Sequence, residues 1–192
     1  MTTDMKCRKI EDVCGCRSEY LTSEKIYLVD LKGATGAGLI KAYNVEPEYD
    51  NVLLENQSQK CIEFVAFEGN ALKIKKGLFA KQCECALSPD PSESGSWLLF
   101  VEMKYANNEF NIHRDEWHKK AVNQIRSTAD FLKSKGAVSD DKKLNAIIAF
   151  PKISSFSSWL TDYVRNELKP YNIIARCTNK ATIVDDKVIV LA

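Results

Sequence analysis

The sequence has no long apolar run. No stretch approaches the ~20 uninterrupted apolar residues that a helix needs to cross a bilayer, so no membrane partner is expected. Its first residues, MTTDMKCRKIEDVCGC, mix charges of both signs and lack an apolar segment, which is not the pattern of a secretion signal; the chain is expected in the cytoplasm. Histidine is scarce. The only two, His113 and His118, have no nucleophile and acid set around them, and each is expected on the surface rather than as a general base. A charge excess is also missing: 27 basic against 26 acidic side chains leave a net charge of +1. A protein that coats nucleic acid without specificity would be more basic. An enzyme with an acidic site and a basic rim remains compatible with that balance.

Seven cysteines are present, an odd number. With no export signal, they read as reduced thiols serving largely as small apolar residues. Cys14-Gly15-Cys16, with Cys7 nearby, lacks the spacing and the second pair of a zinc site. Gly33, Gly36 and Gly38 interrupt the chain after a strand at 25–31. No proper helix follows before Pro47, so they read as a corner, not a phosphate-cradling loop. Residues 1–50 are set apart as an N-terminal appendage, and 51–192 form the main domain, a length that buries a core without disulfides.

From residue 60 the pattern sharpens. Residues 61–67 read as a strand, 68–70 as a turn, and 71–87 as a long strand bent near Gly77. A loop of turn-formers fills 88–96. Residues 97–105 form the next strand, apolar on both faces apart from one charged pair, as in a central strand covered on both sides. An amphipathic helix over 115–135 carries Trp117, Ala121, Gln124, Ile125, Thr128 and Leu132 on one stripe and ends at Gly136. A strand at 144–150, a helix at 154–168 and short strands at 173–177, 181–184 and 188–191 complete the chain. Lys73, Lys75, Lys76 and Lys81 form one basic run, and Arg114, Lys119, Lys120 and Arg126 another; each reads first as a solvated face.

The charged pair is Glu102 and Lys104. Two apart on a strand, they share a face with Leu98 and Phe100. Burying either charge costs several kcal/mol unless it is paired or metal-bound. A plain ion pair at a strand end is the simpler explanation. Against it stands a second carboxylate within reach, either Asp90 or Glu84. Asp90 follows Pro89 but falls in the loop. A hairpin centred near Ser92 and Glu93 puts the partner of Glu102 close to Cys83, so Glu84 is preferred. Gln124, on the buried stripe, must spend its amide on something: a backbone group, or a water or phosphate beside Lys104. Asp30-Leu31-Lys32 repeats the acid-x-Lys pattern without a hairpin acid before it or a long helix after it. It is assigned to chance.

Strand hairpin, Glu-x-Lys, a helix bearing Gln, then a strand by crossover: over about residues 60–150 this resembles the PD-(D/E)XK phosphodiesterase (restriction-endonuclease-like) superfamily. The resemblance implies an α/β fold with an αβββαβ core, its mixed central sheet flanked by helices. It implies a metal-dependent nuclease using Mg²⁺ or Mn²⁺ on nucleic acid, DNA foremost, in a setting such as bacterial defence or repair. In its terms Glu84 or Asp90 is the first acid, Glu102 the second, Lys104 the catalytic lysine and Gln124 the helical glutamine. Glu84 where the family has Asp is a departure. Arg114, Lys119 and Lys120, with His113, would contact phosphates, which positions a substrate without specifying its sequence. The competing expectation is a non-catalytic module that keeps this fold and binds a protein partner, or a second copy of itself, through the 73–81 and 114–126 surfaces.

Overall fold

The apolar strand at the centre of the sequence is also the centre of the fold. The computed structural model describes residues 9–32, 39–89 and 96–192. The glycine corner at 33–38, Cys7 and the loop residue Asp90 lie outside them. Strand β9 (Leu99–Met103) is buried at every position because both its faces are covered. It belongs to a six-stranded sheet of order β1-β5-β8-β9-β10-β11, formed by β1 (Ser18–Leu21), β5 (Ile62–Ala66), β8 (Cys85–Ser88), β9, β10 (Leu144–Ala149) and β11 (Ile173–Cys177). Pairing is antiparallel from β1 through β9 and parallel from β9 through β11.

Each parallel step needs a crossover, and helices supply it. Helices α2 (Glu109–Arg114) and α3 (Trp117–Ser134) connect β9 to β10; α4 (Ser158–Leu168) connects β10 to β11. The single long helix expected at 115–135 is instead two, broken at Asp115 and Glu116, where Glu116 takes a left-handed φ of 54°. Helix α3 buries Ala121, Ile125, Thr128 and Leu132 at helical spacing against the sheet. Gly136, at φ 72°, lets the chain turn away behind it. A one-turn helix α1 (Ile10–Cys14) adds Ile10 to this layer.

A second, five-stranded sheet covers the opposite face, in the order β13 (Ile189–Leu191), β12 (Lys180–Ile183), β4 (Val52–Glu55), β2 (Lys25–Asp30), β3 (Ile40–Tyr43). It too is mixed, with β4 parallel to β12 and antiparallel to β2. Ile26, Leu28, Val52 and Leu54 from this sheet pack with Phe64, Leu87, Leu99 and Val101 from the first. Residues set apart within 1–50 therefore supply β1 to one sheet and β2 and β3 to the other. The protein is mixed α/β, with mixed sheets, helices on one face of the larger sheet and a sheet on its other face. No helix among the described residues is long and apolar enough to cross a membrane.

The long strand expected over 71–87 does not exist as one element. Residues Lys73–Lys75 (β6) and Leu78–Phe79 (β7) form a separate two-stranded ribbon turning at Gly77, whose φ is 76°. The six described cysteines are free thiols.

Of the three crossings between the sheets, two run through buried or half-buried asparagines. Asn56, between β4 and β5, is fully buried; its Nδ2 donates to Ser23 O (3.1 Å) and Lys60 O (2.9 Å), and its Oδ1 accepts from Lys60 N (3.0 Å). Asn179, between β11 and β12, donates to Phe150 O and Ile153 O and accepts from Phe150 N. Asn56→Ala would strand several buried backbone groups and is expected to lower stability by about 2–3 kcal/mol. Urea denaturation measures this, and a change within about 0.5 kcal/mol would show that the sheet crossing does not depend on the amide.

Candidate functional site

Glu102 is fully enclosed by protein, one residue from the end of β9. Its neighbour Phe100 packs in the helix-side cluster, while Val101 and Met103 pack between the sheets. Lys104 follows the strand, its N–H still donating to Ala149 O of β10 at 2.9 Å. Lys104 Nζ pairs with Glu102 Oε1. No donor among the described residues reaches Oε2. Burial pushes the Glu102 carboxyl up to about 8; Lys104 opposes that rise, and the charges of Glu84 and Asp30 add to it.

Glu84 lies just before β8, next to β9 in the sheet. Its N–H donates to Val101 O (3.0 Å) and its carbonyl accepts from Phe67 N (2.9 Å). The paired register, Cys85 with Val101 and Ala86 with Phe100, extrapolates to Glu84 beside Glu102. However, the strand alternation slips here. Cys83 packs in the helix-side cluster and Cys85 between the sheets, whereas residues two apart on a regular strand share a face. Ile74 and Leu78, which a single strand over 71–87 would place on the face of Glu84, are exposed on the ribbon instead. Burial, then Asp30, push the Glu84 carboxyl up to about 7, with Lys104 and Lys32 pulling the other way.

The irregular segment is stitched to helix α3. Gln124 Nε2 donates to Gln82 O at 2.8 Å. Cys83 N donates to Thr128 Oγ1 (2.9 Å), whose own hydroxyl donates to Gln124 O (2.9 Å). Gln82 in turn donates to Phe67 O and accepts from Ala71 N, holding the base of the ribbon. Gln124 thus spends its amide N–H on a backbone group, the simpler of the two expectations for it. A cavity of about 360 Å³ opens beside this segment, with Asp30, Lys32, Phe67, Gln82, Glu84 and Gln124 in its wall. Glu102 and Lys104 do not line it.

Asp30 and Lys32, whose pattern matches by chance on the sequence alone, line the same cavity as Glu84. Asp30 ends β2 of the second sheet, is 7% exposed, and accepts from Lys32 N through Oδ1 at 2.9 Å. Tyr105, the residue after Lys104, donates its hydroxyl to Asp30 O at 3.2 Å and ties the two acid-x-Lys segments together. The shared pattern, an acid closing an apolar strand with a lysine two residues on, was the available signal. Among the described residues, no three His, Cys, Asp or Glu side chains converge closely enough to hold an ion on their own.

The other expected contacts fall elsewhere. Arg114 is engaged by Asp115 (2.8 and 2.9 Å) and Lys119 by Glu116 (2.6 Å), so nearby acids offset their charge. Lys120 makes no ion pair among the described residues and lies one helical turn before Gln124. His118 is not a surface residue: it is 4% exposed, its Nδ1 lies 3.2 Å from Ile112 O, and it packs edge-on against Tyr163. Burial lowers its pKa. His113 is half-exposed beside Glu109.

No family model, curated protein or solved structure matches the chain.

Two predictions follow from this geometry. Thr128→Val removes the acceptor for the buried Cys83 N–H and should cost about 1–3 kcal/mol, with Thr128→Ser largely restoring it; equal denaturation midpoints for wild type and Val would contradict the stitching. The second concerns pH. Glu84 and Glu102 hold protons in the folded chain at pH values where the unfolded chain, near the ordinary 4.5, has released them. Between about pH 5 and 8 the native state binds more protons, so stability falls as pH rises through that window. Glu102→Gln should flatten the melting-temperature profile over the same range. Parallel profiles for the two proteins would remove Glu102 as the cause.

Proposed function

We propose that the protein is a metal-dependent nuclease of the PD-(D/E)XK type, hydrolysing phosphodiester bonds in DNA with Mg²⁺ or Mn²⁺. The observation that carries the reading is Glu102: a fully buried carboxylate on the central strand, paired with Lys104, with one oxygen left without a donor. A native fold does not leave such an atom unsatisfied without a reason. The order β5-β8-β9-β10, with two antiparallel steps followed by a parallel one through a helix, supports the same reading. The resemblance also implies an acid on a helix ahead of the first of these strands; among the described residues strand β4 precedes β5, and Asp30 comes from the second sheet instead.

The residues fit a divalent cation of modest demand. Mg²⁺ takes one or two carboxylates and completes its octahedron with water and phosphate oxygens, so Glu84 and Glu102 suffice without a third convergent protein ligand. Both carboxyls are raised first by burial, Asp30's charge adds to each and Glu84's adds to that of Glu102, so the site is short of positive charge despite Lys104 and Lys32. When bound, the cation would polarise the scissile phosphate and make a bound water more acidic. Lys104, fixed by its pairing with Glu102, orients the attacking water and offsets charge developing on the phosphate. Gln124 acts at one remove, holding Gln82 and so the backbone from which Glu84 projects. Asp30 adds negative charge opposite Glu84, and Lys32 stands beside it to meet a substrate phosphate.

One observation favours a non-catalytic module with the same fold: Glu102 and Lys104 do not open onto the cavity. The readings separate in one experiment. Purified protein with Mn²⁺ should cleave duplex DNA, and Lys104→Gln, prepared identically, should lose roughly 10²–10³-fold in rate, the equivalent of 3–4 kcal/mol. Calorimetric Mn²⁺ binding should vanish in Glu84→Gln and persist in Asp90→Asn. Wild-type protein that binds no metal and cuts neither DNA nor RNA would leave the non-catalytic reading standing.

A further inference from the structure

The β6–β7 ribbon brings apolar and basic side chains together on one exposed two-stranded element. Lys73, Ile74, Lys75, Lys76, Leu78 and Phe79 are all exposed, as is Lys81 just beyond. Ile74 is 50%, Leu78 45% and Phe79 37% open to solvent. No acidic residue lies between Glu68 and Glu84, so the ribbon carries four lysines without a compensating charge in its own sequence. None of the four forms an ion pair among the described residues. Holding an uncompensated cationic ribbon with three bare apolar side chains in water has no stabilising rationale, because two short strands without a covered face are marginal alone.

The ribbon's root is nevertheless firmly held, and its place decides what it can do. Ala71 N and Leu72 N donate to Gln82 Oε1, Ala80 N donates to Leu72 O, and Leu72 is fully buried in the helix-side core. Gln82 is also the residue whose carbonyl is gripped by Gln124 and whose side chain lines the cavity beside Glu84. The ribbon therefore rises directly from the rim of the acid cleft. By contrast, Arg114 and Lys119, the contacts expected from the sequence, are engaged by Asp115 and Glu116.

We propose that the Lys73–Lys81 ribbon is a duplex-DNA-binding arm that docks a groove of the substrate and holds its phosphate backbone over the Glu84 cleft. The proposal rests on the nuclease reading for what lies below the arm. A two-stranded ribbon fits the major groove of B-form DNA, about 12 Å wide, whereas the deep, narrow major groove of A-form RNA does not admit it. In the paired register Lys73 lies opposite Phe79 and Lys75 opposite Leu78, which sets a cation beside an apolar contact at each step. The lysines would neutralise phosphates on either wall of the groove, and Phe79, Leu78 and Ile74 would meet base edges and thymine methyl groups.

The test uses the full chain, a fluorescent duplex of about 20 base pairs and a salt titration, with Mn²⁺ cleavage measured in parallel. Replacing Lys73, Lys75 and Lys76 together with Gln should reduce the slope of log K against log salt by about 2.7, or 0.9 per lost phosphate contact. Affinity at 0.1 M salt should fall roughly a hundredfold or more. Phe79→Ser should weaken binding while leaving that slope unchanged. Because these side chains are exposed, melting temperature and calorimetric Mn²⁺ binding should stay at wild-type values. An Arg114→Gln, Lys119→Gln pair should bind as wild type.

Binding lost in the Arg114/Lys119 pair but retained in the ribbon variant would overturn the proposal. So would duplex RNA or a polyglutamate competing as well as duplex DNA, or no DNA binding by wild type. If DNA binding depends on the ribbon and no preparation cleaves, the arm stands and the nuclease reading falls. If cleavage persists undiminished in the ribbon variant, the nuclease reading stands and the arm falls.

Discussion

A carboxylate buried in the middle of a sheet is the constraint around which this molecule is arranged. Glu102 sits where β9 is covered on both faces, and desolvation there opposes its charge more strongly than any other influence on it. Lys104 offsets part of that cost, and Tyr105 carries the chain across to the backbone of Asp30. Glu84 adds a second acid from the neighbouring strand. Its placement requires the strand to abandon regular alternation, and a regular ladder cannot supply the lost hydrogen bonds. Helix α3 supplies them through Gln124 and Thr128. The polar residues on an otherwise apolar stripe of α3 are therefore there for the strand beside it.

Much of this was legible from local pattern. The apolar strand around Glu102, the hairpin register that favours Glu84, and the crossover helix with Gln124 and Thr128 on its buried stripe follow from periodicity and turn residues alone. Asp90 falls outside the described residues, so register was the only guide to the choice between the two acids. The rest depended on contacts between segments far apart in sequence. Asp30-Leu31-Lys32 looks accidental until β2 is packed beneath β9, because nothing near it in sequence reveals the second sheet. The periodicity of 71–87 fits one strand as well as a ribbon followed by a short strand; the difference lies in Gln82, which captures the backbone at Ala71 and Leu72. His118 was misplaced because burial by Tyr163, some forty-five residues later, leaves no local trace. Asp115 and Glu116, adjacent in sequence to Arg114 and close to Lys119, neutralise them, a pairing the sequence places within reach.

The distribution of charge has a functional logic on the proposed reading. A net charge of +1 conceals an acid-rich cleft and an acid-free ribbon raised beside it. Nonspecific attraction to a polyanion is weak for such a molecule as a whole, while the potential changes sign from the ribbon to the cleft beside it. A phosphate backbone held by the ribbon would approach the carboxylates only with a cation between them, which couples substrate seating to metal occupancy.

Asp30 and the Glu84–Glu102 pair belong to different sheets, and this makes the site a gauge of the distance between them. Stacked sheets stand about 10 Å apart, a spacing set by the volumes of the side chains interdigitated in the gap. Here those are Ile26, Leu28 and Leu54 against Leu87, Leu99 and Val101. The chain crosses between the sheets at Asn56 and Asn179, each locked by its own amide, so the layers are less free to slide than to widen or narrow. Substitutions deep in that apolar layer, far from any charged atom, would set how closely three carboxylates approach one another. The core's packing thereby becomes the calibration of the site's electrostatics.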